Sequence, residues 1–304
     1  MSTTPPVTVV IPAHQRPVEL RRAIQAARDQ DYAGEIDVIV VFDRAEPDLT
    51  LESSGPRPVR VMSNSRTPGL AGARNTGIVA ATGEFVAFCD DDDYWLPEKI
   101  SAQARAFGQE PTAHLVTCAI VVEYEGRATP RFAGVDRVTH AMLTRSRMSM
   151  LHSSTLLFRR SALLGELGLI NEEIPGSQNE DWDILLRSSR IHPIVHLDEP
   201  LVQVVWGRAS YFSRRWDTKI ASSIWMLRNH SSIRRDRRAA SRLMGQIAFA
   251  HASSGTRRAA WRWAVRAWRN DPLQWRAPLS LGVSLAPRSG ELALSTLHKF
   301  GRGV

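Results

Sequence analysis

The sequence contains little cysteine and no long apolar run. Its two cysteines, Cys89 and Cys118, lie outside any paired CxxC spacing, so we expect neither a zinc knuckle nor a disulfide framework, and a reducing compartment fits better. No apolar stretch approaches the roughly eighteen residues of a membrane-spanning helix. The N-terminal segment MSTTPPVTVVIPAHQRP has no basic segment and no long apolar segment, so we expect no signal peptide and a cytoplasmic location.

Acidic residues are scarce in the last third of the chain. Residues 208–304 contain 19 Lys or Arg and 4 Asp or Glu, a balance of +15, whereas the remainder carries −7, which together give the total of +8. The sequence therefore predicts two regions of opposite electrostatic character. A basic region can bind nucleic acid, an anionic membrane or an anionic acceptor, or it can be a solvated helical surface.

Strand and helix signals alternate over the N-terminal third. The β-branched runs Val7–Ile11 and Ile36–Phe42 predict buried strands, and Pro17–Gln30 predicts a helix that begins at a proline. Gly72–Ala81 predicts a second helix and Glu84–Cys89 another strand. This alternation predicts an α/β fold with a doubly wound, mostly parallel sheet.

Later elements are weaker, and beyond about Ser213 the strand signal disappears in favour of helical patterns. The later predicted strands are Val59–Met62, Leu115–Tyr124, Ser154–Phe158, Ile194–His196 and Leu201–Val205. The later predicted helices are Ser161–Leu167 and Gln178–Ser189.

Four adjacent aspartates, Asp90 to Asp93, directly follow the EFVAFC strand. Adjacent carboxylates repel one another unless a positive group compensates them, and a divalent cation with oxygen ligands is one such group. Ligands of open α/β sheets bind beyond the carboxyl ends of strands, where this cluster falls. Asp90 and Asp92 are two residues apart, so both can face one metal. An acidic surface turn is the alternative interpretation.

Three further segments carry polar residues suited to binding or catalysis. In GLAGARNTGI, small residues allow close approach of the backbone, and Arg74 offers a planar fork to phosphate or carboxylate. Asp43 follows the second strand and can accept hydrogen bonds from a base or ribose. In NEDWD, Asp181 or Glu180 is a candidate general base, with Trp182 excluding water. A glycine-rich helix start, a turn residue and an acidic helix N-terminus are the respective alternatives.

Together, and in this order, these segments resemble the family 2 glycosyltransferases, which have the GT-A fold. The matching stretches are VTVVIPAHQRP, DVIVVFD, GLAGARNTGI, ATGEFVAFCDDDDYWLPEKI, STLLFRRSAL and NEDWDILLR. The resemblance implies a GT-A domain over residues 1–212, with a nucleotide-sugar-binding half over about 1–95 and an acceptor half over about 96–212. A basic, Trp-rich helical region over residues 213–304 would follow.

The resemblance also implies an activity and assigns residues to it. It implies inverting, metal-dependent transfer of a sugar from a nucleotide diphosphate, most commonly UDP, to a hydroxyl of a glycan, glycolipid or small molecule, as in polysaccharide biosynthesis. Asp92, with Asp90, would hold Mn²⁺ or Mg²⁺ on the diphosphate, and Asp181 matches the catalytic base. The positions implied for donor binding are Pro12, Ala13, His14, Asp43, Arg74, Asp90 and Asp91. The positions assigned to the acceptor side are Glu180, Trp182 and His152.

The sequence departs from the family pattern at three places. His14–Gln15 stands where Tyr-Asn is common, and Phe42 stands where a second Asp is common, so the donor base stays open. The segment LVQVVWGRASYFSRR lacks the usual histidine, and Arg208, Arg214 or Arg215 would have to neutralise the leaving group instead.

Seven of the nine tryptophans lie between Trp206 and Trp275, interleaved with arginine. Trp261, Ala264, Val265 and Trp268 recur at i, i+3, i+4 and i+7, which predicts one apolar helical face. Three interpretations stay open: helices packed on the catalytic domain with tryptophan in the contact, peripheral membrane contact through the basic helices, and nucleic-acid binding, the least favoured.

Two other functions are alternatives to glycosyl transfer. A nucleotidyltransferase acting on sugar phosphates would need a Gly-rich phosphate loop with a lysine after the first strand, but IPAHQRP contains neither residue. A non-catalytic nucleotide-sugar-binding protein would be indicated by loss of Asp92 or Asp181, and both are present.

Overall fold

The computed structural model describes residues 4–124, 126–205, 215–286 and 290. These residues divide into two compact units. The described part of the first unit comprises residues 4–124, 126–143, 148–172 and 180–205, and that of the second comprises 144–147, 173–179, 215–286 and 290. Trp206, Arg208 and Arg214, which the sequence analysis singled out, lie outside the described residues.

The first unit contains one sheet, to which ten strands of the described chain belong. They are β1 (Val7–Ala13), β2 (Ile36–Phe42), β3 (Val59–Ser63), β4 (Phe85–Phe88), β5 (Tyr94–Trp95), β6 (Leu115–Tyr124), β7 (Arg127–Arg131), β8 (Arg137–Val138), β9 (Leu157–Arg159) and β10 (Ile194–Val205). The strand order is β3-β2-β1-β4-β9-β6-β10-β5, with β7 beside β6 and β8 beside β10. β1 to β4 pair in parallel, as do β6 and β10, whereas β9 is antiparallel to both neighbours. The expected α/β class with a mostly parallel sheet is confirmed.

Six helices of the described chain alternate with its strands, and five more follow the last strand in the second unit. The helices before residue 206 are α1 (Pro17–Arg28), α2 (Leu70–Ala80), α3 (Lys99–Gln109), α4 (His140–Arg145), α5 (Arg160–Leu164) and α6 (Glu180–Ile191). Those after it are α7 (Trp216–Asn229), α8 (Ser231–Arg235), α9 (Arg237–Ser253), α10 (Arg257–Asn270) and α11 (Arg276–Leu285). Among the described helices, none combines the length and apolarity needed to cross a bilayer.

The central strands form because their residues are apolar on both faces. Every residue of β1 and of β4 is buried, as expected for parallel strands covered by helices. β1 continues past Pro12, where the sequence interpretation had ended it. Proline cannot donate to a ladder, but β4 pairs with β1 only as far as Val10, so no bond to β4 is lost there. Cys89 and Cys118 are free and buried in this unit.

Two predicted boundaries differ from the structure for local reasons. The two late strands form the single strand β10, in which the register with β6 shifts on either side of Pro200. The predicted strand Ser154–Phe158 begins as a 3₁₀ turn, Ser153–Thr155, because serine side chains there bond to the aspartate turn rather than facing a neighbouring strand.

In the second unit, α9 packs against α10 and α11 through small residues. Ala264 and Ala267 of α10 are buried beside Ala248 of α9 and Ala277 of α11. Of the predicted apolar face, Ala264 is buried, whereas Trp261, Val265 and Trp268 are exposed. Their exposed fractions are 49% for Trp261, 38% for Val265 and 56% for Trp268, because the alanine face makes the contact instead.

Helix α2 approaches β1 closely at Gly77. A Cβ at this position would overlap both methyl groups of the buried Val10 side chain. Glycine therefore sets the spacing between α2, which carries Arg74, and the strand that leads to His14. In contrast, a Cβ on Gly108, in the exposed last turn of α3, meets no atom within 4 Å.

We expect Gly77→Ala to lower the free energy of unfolding by about 1–3 kcal/mol through overpacking. Both glycines are helical, so Gly108→Ala gains the same helix propensity without the clash and should raise stability by about 0.5–1 kcal/mol. Urea denaturation of the two variants measures both changes. Equal stabilities would contradict the close approach of α2 to β1.

Candidate active site

The four aspartates form a turn at the carboxyl end of β4, between β1 and β9. Cys89 N still donates to Val10 O of β1 (3.1 Å), and Asp93 N donates to Asp90 O (3.1 Å), which closes the turn. The carboxylates then face different neighbours. The turn therefore distributes four adjacent acids among distinct partners rather than leaving them stacked in solvent.

The β1 side of the turn is held by the HQR segment. Asp91 accepts hydrogen bonds from the backbone N of His14 (2.9 Å) and from Arg16 Nη1 (2.8 Å). The same Arg16 nitrogen lies 2.7 Å from Asp92 Oδ2. Asp91 is 5% exposed, so its observed role is to fasten the end of β1 to the turn. The donor contact expected of Asp91 stays a prediction.

The β9 side of the turn is held by residues 152–154. Ser153 Oγ donates to Asp90 Oδ2 (2.8 Å), and Asp90 N donates to Ser154 Oγ (3.0 Å). Ser154 Oγ also donates to Asp93 Oδ2 (2.5 Å), and His152 Nδ1 lies 3.1 Å from the same oxygen. His152, assigned to the acceptor side from the sequence, is thus placed beside the aspartate turn.

Arg74 connects the aspartate turn to the start of α6. Its side chain is 1% exposed, and its two terminal nitrogens pair with Asp90 and with Glu180. In the structure both ends of the guanidinium pair with protein carboxylates and the group is buried, and the contact with a donor phosphate expected of Arg74 stays a prediction. Arg74 brings the two acidic motifs, which are 90 residues apart in sequence (Asp90 to Glu180), to one guanidinium.

Burial and mutual repulsion spread the pKa values of these groups. Burial, aided by Asp93 and Asp90 and opposed by Arg16, raises the pKa of Asp92 to about 7. Burial also raises the pKa of Glu180 to about 7 in spite of Arg74. Burial acts against the charge of His152, but Asp93 and Asp90 outweigh it and raise its pKa to about 9. His152 is therefore a cation at neutral pH, and Asp92 is the carboxylate least compensated.

The residues of the NEDWD segment take different positions at the start of α6. Asp181 is 8% exposed, its Oδ1 accepts from Trp182 N (2.8 Å), and its charge acts on Arg74 and His152. Trp182 is buried, and its indole donates to Leu143 O (2.9 Å). Contact of Glu180 or Trp182 with an acceptor stays a prediction, since both side chains are engaged inside the protein.

Asp43 organises the ends of β1 and β2 and the start of α2. Its Oδ1 accepts from Asn64 Nδ2 (2.7 Å) and Gly69 N (2.9 Å), and its carbonyl lies 3.0 Å from His14 Nδ1. Pro12 and Ala13 are buried within β1, and His14 is the first partly exposed residue after them. Their contacts with a nucleotide base remain predictions.

The donor atoms of the turn fit a hard divalent cation. Asp90, Asp93 and His152 each offer one ligand atom within 4.8 Å of the others. Asp93, however, already accepts from Ser154, and His152 Nδ1 lies against the same Asp93 oxygen. Asp92 is the more suitable ligand, because a third of its side chain is exposed and a second positive charge would stabilise its anion.

Several residues of this site were not singled out from the sequence. They are Arg16, Ser153 and Ser154, which lie in or beside stretches quoted for the family resemblance, while Asp93 was named only as a member of the aspartate cluster. Arg16 lies two residues beyond His14, and a cation so close after a strand end was the signal that could have found it. The serines carry no comparable signal, because their partners are about 60 residues away in sequence.

Comparison with known proteins gives a family. The sequence model of Glycosyl transferase family 2 matches residues 8–165. A GalNAc(5)-diNAcBac-PP-undecaprenol beta-1,3-glucosyltransferase of Campylobacter jejuni is 28% identical over 187 residues, which cover 59% of this chain and 59% of that protein. The chain spans 36–59% of the length of the first three curated relatives that it matches.

Solved structures of low identity share the fold. TarS from S. aureus, in complex with UDP-GlcNAc, is 18% identical with a TM-score of 0.63, covering 97% of this chain and 92% of that one. The mannosyltransferase PcManGT from Pyrobaculum calidifontis, in complex with GDP-Man and Mn²⁺, is 19% identical with a TM-score of 0.57, covering 97% and 87%. These likenesses confirm the GT-A fold.

We expect Arg74→Met to lower the free energy of unfolding by about 3–5 kcal/mol, because it leaves the buried carboxylate of Glu180 and the partly buried one of Asp90 without their cation. Arg60→Met is the matched control: Arg60 pairs with Asp37 at 2.8 Å but is 42% exposed, so its loss should cost roughly 0–1 kcal/mol. Urea denaturation monitored by circular dichroism measures both. A loss for Arg74→Met no larger than that of the control would contradict the buried bridge.

Proposed function

The chain belongs to glycosyltransferase family 2 and is a glycosyltransferase, and from this premise we propose that it transfers a sugar from a nucleotide diphosphate donor with inversion at the anomeric carbon. The observation that carries the proposal is the pairing of Arg74 with both Asp90 and Glu180. It supports a single site in which donor-binding acids and a candidate base act on one sugar.

The donor half of the proposal rests on three strand ends that meet. His14, Asp43 and the Asp90–Asp93 turn follow β1, β2 and β4, which are adjacent and parallel. We propose that His14 and Asp43 contact the nucleoside and that Arg74 acts as a positioning residue beneath the diphosphate. UDP is the favoured nucleotide, since the TarS complex holds UDP-GlcNAc, and GDP, which the PcManGT complex holds as GDP-Man, is the alternative.

The metal half of the proposal assigns Asp92, with Asp90, to Mn²⁺ or Mg²⁺. Such an ion supplies Lewis-acid stabilisation of negative charge on the departing diphosphate. Arg16 contacts Asp91 and Asp92 and would hold the turn in its ligating conformation. His152 keeps Asp93 engaged by the protein, so this carboxylate is left out of the proposed ligand set.

Asp181 is the proposed general base. It lies at the N-terminus of α6, one residue after Glu180, whose carboxylate Arg74 holds. Asp181 would take the proton of the acceptor hydroxyl while the hydroxyl oxygen attacks the anomeric carbon opposite the leaving group. This single displacement forms one glycosidic bond, breaks one sugar–phosphate bond and inverts the configuration because the attack comes from the side opposite the leaving group.

For the acceptor we propose a lipid-linked saccharide. The Campylobacter jejuni relative is named for a polyprenol diphosphate acceptor, and glycan or small-molecule acceptors are the other outcomes to test. Such an acceptor would place the enzyme at the cytoplasmic face of a membrane, in peripheral contact through its basic C-terminal helices. Polysaccharide biosynthesis is the corresponding pathway class.

We expect Asp181→Asn to lower kcat by about 10²–10⁴-fold, since an amide cannot accept the proton. Donor binding should change little. Asp183→Asn is the matched control in the same helix, where Asp183 pairs with Arg187 at 2.9 Å; it should keep turnover, and its melting temperature checks that it is folded. Turnover is measured by nucleotide diphosphate release, and a fully active Asp181→Asn would refute the assignment.

We expect Asp92→Asn to abolish the metal-dependent part of donor binding. Calorimetric titration with UDP- and GDP-sugars in Mn²⁺ and in EDTA should show tight binding by the native chain only with metal. In the variant, the two conditions should give the same weak binding. Asp29→Asn, an exposed acid on the turn after α1, controls for the change of charge. Equal binding by the native chain with and without metal would contradict the metal assignment.

A further inference from the structure

Helix α10 presents an apolar stripe outward from the second unit. Trp261, Val265 and Trp268 recur at i, i+4 and i+7, so they lie on one face, and all three are exposed. The turn that follows also exposes Leu273, by 87%, and Trp275, by 38%. Apolar surface of this size on one helix face calls for a partner.

The stripe is held in place by the neighbouring alanine face of the helix, which lies about 100° away around its axis. Ala260, Ala264 and Ala267 are buried against neighbouring helices, which fixes the rotation of α10 about its axis. Trp261 Nε1 donates to Ser284 Oγ of α11 (3.1 Å), which fixes one indole while its ring remains half exposed. The tryptophans are thus presented outward by a packed scaffold.

Positive charge surrounds the stripe. The helix contains five arginines and no acidic residue, and all five side chains are exposed: Arg257, Arg258, Arg262, Arg266 and Arg269. Residues 208–304 as a whole carry a balance of +15. Indole rings favour the boundary between lipid headgroups and acyl chains, and arginines beside them favour anionic headgroups.

We propose that the outward face of α10, formed by Trp261, Val265 and Trp268 with its flanking arginines, docks flat on an anionic lipid bilayer. The charge of the helix and the position of the indoles fit this occupant. A neutral bilayer would leave the arginines uncompensated, and a nucleic-acid strand would leave Val265 and Leu273 without apolar contact. The biological role of this docking rests on the proposed lipid-linked acceptor, but its test does not need that acceptor.

Vesicle sedimentation of the full chain tests the docking face. The native chain should sediment with vesicles of phosphatidylcholine and phosphatidylglycerol, far less with phosphatidylcholine alone, and less as salt rises. Trp261→Ala/Trp268→Ala should weaken binding about tenfold or more, and Arg258→Gln/Arg262→Gln/Arg269→Gln should do the same. Both variants change exposed side chains, and their melting temperatures check that they fold.

The matched control removes the same charge elsewhere. Arg105→Gln/Arg235→Gln/Arg238→Gln changes three exposed arginines of α3, α8 and α9, and it should bind vesicles as the native chain does. Equal weakening by this control would reduce the effect to net charge and overturn the docking face. Unchanged binding by the tryptophan variant would overturn it as well.

Two further measurements test other occupants. If the α10 variants lost affinity for single-stranded RNA but not for vesicles, the face would bind nucleic acid and the proposal would be wrong. If Trp261→Ala/Trp268→Ala changed the oligomeric state in solution without changing vesicle binding, the face would join two copies, again overturning the proposal.

Failure of this inference can be told apart from failure of the proposed function. Metal-dependent donor binding in solution, measured without lipid, should be the same in the native chain and the α10 variants. If the native chain binds the donor but does not bind vesicles, the docking face is wrong and the donor proposal stands. Vesicle binding that depends on α10 in a chain that binds no nucleotide sugar supports the docking face and sinks the donor proposal.

Discussion

A buried arginine between two carboxylates is the interaction on which this site depends. Arg74 is almost fully buried, and a guanidinium at such a position requires anionic partners on both sides. Asp90 comes from the turn after β4 and Glu180 from the start of α6, so one side chain fixes the relation between the two motifs. Gly77, one turn further along α2, sets how close this arginine can lie to the sheet.

The rest of the site distributes the charge that this bridge does not neutralise. Arg16 contacts Asp91 on the β1 side of the aspartate turn, and His152 contacts Asp93 on the β9 side. Asp92 keeps a raised pKa of about 7 after these contacts, because burial and neighbouring acids still disfavour its anion. A site that keeps one partly exposed, undercompensated carboxylate beside a strand end is suited to an incoming cation with a diphosphate.

Sequence reasoning succeeded where local pattern determines structure and failed where distant segments meet. β2 and β6 were predicted to the residue, because apolar β-branched runs between turns leave few alternatives. The break in β10 was wrong, since a bulge at Pro200 carries the strand through. The aspartate turn was recognised from its run of four aspartates. The burial of Arg74 was not, because it depends on Glu180, a partner about a hundred residues away. On α10, periodicity found the apolar stripe, and only packing shows that alanine takes the inner side.

The most direct test of the account is a structure of the chain with Mn²⁺ and a non-hydrolysable nucleotide sugar. The account predicts the ion on Asp92, Arg74 still between Asp90 and Glu180, and the carboxylate of Asp181 on the side of the sugar opposite the diphosphate. An ion held by Asp93 and His152, or Arg74 turned out of its bridge toward the diphosphate, would contradict it.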